Sequence, residues 1–282
     1  MAVVLIFFVA HWQLSVMMQS FFQHRYASHG QFKMSPRAEK GFHLLAFVLQ
    51  GSSYLNPRAY AYMHRAHHAH SDTEKDPHSP LFFKSPFHMM WKTKSTYAGL
   101  TNGTIVPEAR FMAPVPTWPA LERFAELWPT RLAWGAVYTA FYVAFAPAWM
   151  FFLLPVHFIL GPVHGAIVNW CGHRYGYRNY NSSDVSRNTL PFDVLCMGEL
   201  FQNNHHRFGQ SPTFATRWFE VDPTYVFIKA MAFLRLIDVS GAQKTQWPDR
   251  IKRDADVGVP ALAGAAQGDA LGDEPTTDAA AA

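Results

Sequence analysis

Eight histidines stand in four short groups: His24 and His29 in HRYASH, His64, His67 and His68 in HRAHH, His173 in NWCGH, and His205 and His206 in QNNHH. Neutral imidazole is the commonest protein ligand for iron, zinc, copper and nickel, and a single ion with about four to six positions cannot use all of them. The count therefore points to two metals. In HRAHH the spacing i, i+3, i+4 puts three imidazoles on one face of a helix. Asn169 and His173 repeat the i, i+4 relation, and Gln202, His205 and His206 repeat the three-residue pattern with an amide in first place. His24 and His29, five apart, come together if their helix continues or turns.

The elements that position these groups read as membrane helices. The chain has 282 residues, of which 49% are hydrophobic, 16% aromatic and only 16% charged, against about a quarter charged in soluble domains. Ala2 to Phe22 carries no charged residue, enough for one crossing of a core that takes about 20 residues. It lacks the basic start and small-residue cleavage site of a secretory signal and is read as part of the mature chain. From Leu132 to His173 there is no Asp, Glu, Lys or Arg. One helix of that length would be about twice the hydrocarbon thickness, so two must share it. The break falls at Ala146-Pro147, because proline removes a helical donor and restricts its predecessor. The expected spans are thus about 2–22, 128–145 and 148–170.

Gly41 to Pro57 is apolar but interrupted by Gln50-Gly51-Ser52-Ser53. A crossing there would put HRYASH and HRAHH on opposite faces, so it reads as an in-plane or re-entrant segment. The hairpin returns the chain to the side it left, which lets His173, His205 and His206 rejoin the earlier groups. Every Lys and Arg lies between Arg25 and Arg131 or between Arg174 and Arg253, which places the histidines in the cytoplasm by the positive-inside bias. The expected fold is all-α: an integral membrane helical protein with a cytoplasmic helical lobe, one domain over 1–253, and a disordered tail over 254–282 rich in Ala, Gly, Asp and Thr. Cys171 and Cys196 make neither a zinc-finger spacing nor a disulfide framework. The net charge of +4 comes without a basic run with interleaved aromatics, so no nucleic-acid partner is expected.

Taken together, HRYASH, HRAHH, QNNHH and the intervening Asn169/His173 pair resemble the histidine boxes of the membrane-bound fatty acid desaturases, specifically the acyl-CoA, stearoyl-type delta-9 branch and its short bacterial members. Flanking text agrees: SDTEKDPHSP after the second box and GELFQNNHHRFG around the third. The resemblance covers about Phe8 to Asp238. It implies a centre of two iron ions that uses O2 and two supplied electrons to leave a cis double bond in an acyl chain. It assigns His24, His29, His64, His67, His68, His173, His205 and His206 as iron ligands, with Asn169 acting through water. Asp76 and Glu199 are candidate carboxylates behind the ligands, as metal-bound histidines commonly have, and Asp193 has similar standing.

Two departures matter. Acyl-CoA members usually open the third box with histidine, whereas this chain has Gln202, whose carbonyl can bind iron or hold a water. Animal members carry Arg-Asp just before the second box, where Tyr62-Met63 stands here. The acyl carrier is therefore open between CoA thioester, acyl carrier protein thioester and a lipid-bound chain. With no haem domain, rubredoxin-like segment or nucleotide loop, an external donor is expected, of ferredoxin or cytochrome b5 type, at a bacterial cytoplasmic membrane. A related di-iron hydroxylase or monooxygenase, or a zinc-binding membrane protein, uses the same histidine logic. His11, His43, His157 and His164 lie in apolar segments and read as helix-packing residues, and His70, His78 and His88 as loop positions.

Overall fold

The computed structural model describes residues 1–247; the expected tail, 254–282, and the end of the expected domain lie outside them. Helix α1 (Ala2–Met18) continues without a break into a π-helical stretch, Gln19–Ser28. The 27-residue rod is long and apolar enough to cross a membrane. Its far end carries the first histidine box.

The chain then turns through β1 (Lys33–Met34) into α2 (Pro36–Gln50), whose start is set by Pro36 in the first turn and by the Ser35 side chain, which accepts from the Ala38 amide. Helix α2 buries Phe42, His43, Ala46, Phe47 and Gln50 and leaves Leu44, Leu45 and Val48 exposed. It stops at Gly51, with φ +54°, where a Cβ would sit 1.8 Å from the Tyr138 hydroxyl. Only glycine fits both the conformation and the space. After one 3-10 turn, Gly51–Ser53, the Asn56 side chain caps α3 (Pro57–His70) by accepting from Arg58 and Ala59. Arg131 seals the turn by donating to the Ser52 and Tyr54 carbonyls. The chain thus goes out along α2 and returns along α3, bringing HRAHH beside HRYASH.

Helices α4 (Pro86–Asn102) and α5 (Pro119–Glu126) lead to α6, a helix over Trp128–Phe145, the residues expected to form the second span. Among the described residues the rod Ala2–Ser28 is the one helix long and apolar enough to cross a membrane, or one of two if the bent pair 148–158 and 160–172 counts as a span. The break at Ala146-Pro147 is present, with Ala146 extended at ψ 134°. The second arm departs from expectation. Instead of one helix over 148–170 it is a 3-10 stretch (Ala148–Leu153), a short α7 (Leu154–Phe158) and α8 (Leu160–Gly172), bent by 73°. Pro155 and the Gly161-Pro162 pair explain this, because each proline removes a donor and clashes with the preceding turn. The remaining helices are α9 (Gln202–Arg207), with the third box, and α10 (Pro223–Phe233). Strand β2 (Ile237–Asp238) pairs antiparallel with β1, Lys33 opposite Asp238.

Packing ties these pieces to α1. Trp12 and Val16 pack with Leu160 and Met197, and Met18, Phe21 and Phe22 with Phe42, Ala46 and Ile228. Within the apolar layer His11 and His157 meet at 2.6 Å between their Nδ1 atoms, while the Tyr142 hydroxyl lies 3.0 Å from His157 Nε2. His43 likewise pairs with the Tyr54 hydroxyl at 2.7 Å. These three are packing residues whose polar atoms find one another, as burial requires.

Candidate metal centre

The eight histidines converge, in two groups. His24, His29, His64, His68 and His205 offer ring nitrogens all within 4.8 Å of one another, and His67, His173 and His206 do the same. Helix geometry makes the division. Neighbours on an α-helix point about 100° apart, so the paired His67-His68 and His205-His206 each send one ring to either group, while His64 and His68, a turn apart, stay together.

The first box owes its geometry to the π-helix. Its hydrogen bonds run from i to i+5, and the His29 amide donates to the His24 carbonyl at 3.3 Å. Residues five apart therefore stack, and the His24 and His29 rings lie 5.2 Å apart between centroids. Arg65 finishes that helix by donating to the Ala27 and Ser28 carbonyls at 2.9 and 2.8 Å. Arg25, fully buried, pairs with Asp222 at 3.0 Å and stacks over Phe214 at 3.9 Å.

Ring nitrogens face inward at close range. His24 Nε2 and His68 Nε2 are each 2.9 Å from His205 Nε2, His29 Nε2 is 2.8 Å from His64 Nε2, and His67 Nε2 is 3.3 Å from His206 Nε2. Ligands bound at about 2.0–2.1 Å around one ion would have adjacent nitrogens about 3 Å apart. His173 Nε2 is buried with no hydrogen-bond partner, an orphan that a metal would satisfy. The donor set thus fits two metals.

Behind the rings lie carboxylates. His67 Nδ1 is 2.9 Å from both oxygens of Asp76, His173 Nδ1 is 2.9 Å from Asp72, and His206 Nδ1 is 2.7 Å from Asp184. His24 Nδ1 bonds Glu199, which also accepts from Ser20. Each Nδ1–H donates outward, so the Nε2 lone pair points in, the tautomer a metal needs. Asp76 and Glu199, two carboxylates singled out from the sequence, thus lie against His67 and His24. Asp193 does not: its carboxylate accepts from the Cys196 and Leu200 amides and reaches no histidine. Asp72 and Asp184 were missed. Asp72 sits four residues after His68, but Asp184 comes from a distant loop and carries no local signal. His78 lies against His67 with ring centroids 4.4 Å apart, whereas His70 pairs with Glu108 at the surface and His88 is exposed.

Electrostatics favour neutral rings at four histidines of the larger group and charged carboxylates behind the rings, whereas at His173 burial is outweighed by Asp72, which raises it. Burial, then the proximity of other histidines, lowers His29, His64, His68 and His205 well below the ordinary imidazole value. Burial alone would raise Asp72, yet His173 and three hydrogen bonds bring it down to about 2. The carboxyls of Asp76 and Asp184 are lowered too, their partners His67 and His206 outweighing burial.

The two amides are oriented. Gln202 lies 2.6 Å from the Glu199 carbonyl and Asn169 2.9 Å from the Gly165 carbonyl. A carbonyl can only accept, so each NH2 faces it and each amide oxygen turns elsewhere. Gln202 packs over Gly172, where a Cβ would lie 2.4 Å from its Cγ, and so adjoins His173.

The sequence model of the fatty acid desaturase family matches residues 1–230. The chain belongs to the fatty acid desaturase family. It is 30% identical over 230 residues to an sn-1 stearoyl-lipid 9-desaturase of Anabaena variabilis, covering 79% of this chain and 78% of that one. An acyl-CoA C20 Delta5-desaturase of Anemone leveillei is 29% identical over 224 residues, 76% of this chain and 65% of its own length. A delta-9 desaturase-like protein of Arabidopsis thaliana is 28% identical over 218 residues, 74% of this chain and 67% of that one. The protein is thus a fatty acid desaturase by family, an oxidoreductase of a membrane-associated class, and its clustered histidines are compatible with a metal site.

Proposed function

We propose that this desaturase holds two iron ions and uses O2 to place a cis double bond, at the ninth carbon, in a saturated acyl chain. His24, His29, His64, His68 and His205 hold one iron. His67, His173 and His206 hold the other, with Asn169 reaching it through water and the Gln202 oxygen completing it. The observation that carries this reading is the division of eight inward-facing imidazoles into five and three, with the Nδ1 atoms of His24, His67, His173 and His206 fixed by carboxylates.

The bound irons supply the oxidising power that removal of hydrogen from an unactivated chain requires and no side chain has. The balance is one O2, two electrons and two protons added, two hydrogens removed from adjacent carbons, and two waters released. The chain's own groups fix the ligands' tautomers, favour the neutral form of His29, His64, His68 and His205, and exclude bulk water from the rings. The saturated chain arrives as a CoA or acyl carrier protein thioester or bound to lipid; the named activities of the relatives include both acyl-CoA and stearoyl-lipid substrates. Tyr62-Met63 favours a carrier that needs no Arg-Asp anchor. Electrons come from a ferredoxin or cytochrome b5-like donor on the cytoplasmic side of a bacterial membrane.

The test is turnover of purified, iron-loaded protein with donor, a saturated acyl substrate and 18O2. The expected product is monounsaturated and unlabelled, with the label in water. A hydroxylated, labelled product would replace this reading by an oxygen-inserting one.

A further inference from the structure

Between α8 and the third histidine box the chain runs through an irregular segment that exposes apolar side chains. Leu190 is 40% exposed, Phe192 63%, Val194 53% and Leu195 48%. Several of its polar groups turn inward. The Trp12 indole donates to the Leu195 carbonyl at 2.9 Å, and the Val221 amide to Pro191 at 3.2 Å. The fully buried Asp193 takes the Cys196 and Leu200 amides, its own carbonyl takes the Gly198 amide, and Thr224 donates to the Met197 carbonyl.

Depth is set by α1. Trp12 lies in the uncharged stretch Ala2–Phe22, twelve residues before His24, or roughly 15–18 Å along the rod. At that level α1 shows Val9 and Leu14 on its outside, 55% and 46% exposed. The segment is thus continuous with the apolar face of α1. Irregular backbone is tolerated at membrane depth only where protein groups satisfy it, as they do here for the carbonyls of Pro191, Asp193 and Leu195.

We propose that Leu190–Leu195 is a membrane-embedded loop that presses Leu190, Phe192, Val194 and Leu195 against lipid acyl chains beside α1. The third box is therefore anchored in the bilayer as well as in the lobe. The inference rests on α1 lying in a bilayer, as membership in a membrane-associated family implies, and is independent of the metal reading.

Single cysteines placed at Phe192, Val194, Leu14 and Glu108, with Cys171→Ala and Cys196→Ala, are given nitroxide labels in protein reconstituted into phosphatidylcholine vesicles. Collision with O2 is compared with collision with a water-soluble nickel chelate. The ratio at Phe192 and Val194 should match Leu14 and be several-fold above Glu108. An aqueous ratio at Phe192 with a lipid ratio at Leu14 overturns the proposal. An aqueous ratio at Leu14 as well overturns its premise. Dipolar broadening between two labelled chains would place a second copy there and equally overturn it. If the cysteine variants fail to fold, amide exchange of the unaltered protein in vesicles decides: slow exchange over 190–195 supports the loop, and exchange as fast as at the exposed Thr73–Lys75 turn refutes it.

Discussion

Replacing Asp76 with asparagine isolates the role assigned to the carboxylates. Asp76 is buried and accepts from His67 Nδ1 at 2.9 Å, from the Asp72 amide at 2.9 Å and from the His78 amide at 3.0 Å. Asn keeps the shape and one acceptor but loses the charge that polarises His67. Removing such a partner behind a metal-bound histidine costs about 10- to 100-fold in metal affinity, or about 1.4–2.8 kcal/mol. Only the group of His67, His173 and His206 should feel it. Metal analysis with chelator competition on purified Asp76→Asn should therefore show one iron released at about 10- to 100-fold lower chelator strength and the other unchanged. Asp76→Ala should also unfold more readily, because three donors, two of them buried, lose their acceptor at about 1 kcal/mol or more for each buried one. Two metals held as tightly as in the parent, or both loosened equally, would refute the reasoning.

Other consequences are equally direct. Gln202→His should tighten the metal of His67, His173 and His206, exchanging an amide oxygen for an imidazole nitrogen, and the same chelator titration reads it; unchanged release would place Gln202 outside that site. Arg25→Ala leaves Asp222 buried and unpaired and should destabilise by about 3–5 kcal/mol, measured as a lowered unfolding temperature in detergent, whereas an unchanged midpoint would contradict it. Metal-free protein should lose stability as pH falls below about 6.5. There the unfolded chain binds protons that the lowered His29, His64, His68 and His205 refuse in the fold, at up to about 1.4 kcal/mol per pH unit for each group. Unfolding titrations from pH 8 to 5 check the sign, and stability rising toward acid would reverse the argument.

What the sequence revealed followed from patterns that are local in the chain. The charge-free run beyond Arg131, the proline at 147 and the i, i+3, i+4 spacing of HRAHH each have a short-range cause, and α6 and α3 lie where those causes put them. The bend in the second arm was written in Pro155 and Gly161-Pro162, but composition outweighed them in the reading. Two features were out of reach. A π-helix has no residue signature, so the approach of His24 to His29 could be expected only on condition that their helix continued or turned. The pairing of Asp184 with His206 and Asp72 with His173 depends on loops meeting across the lobe. The five-and-three division likewise needed helix rotations, not spacing, to become visible.

The central claim is tested most directly in a host lacking its own desaturase, supplied with a competent donor and iron, by mass spectrometry of its fatty acids with double-bond localisation. The parent chain should yield cis-monounsaturated acids with the bond at the ninth carbon. His67→Ala, present in the membrane at the same level, should yield none. Unchanged lipids with the parent, or full turnover by His67→Ala, would contradict the account.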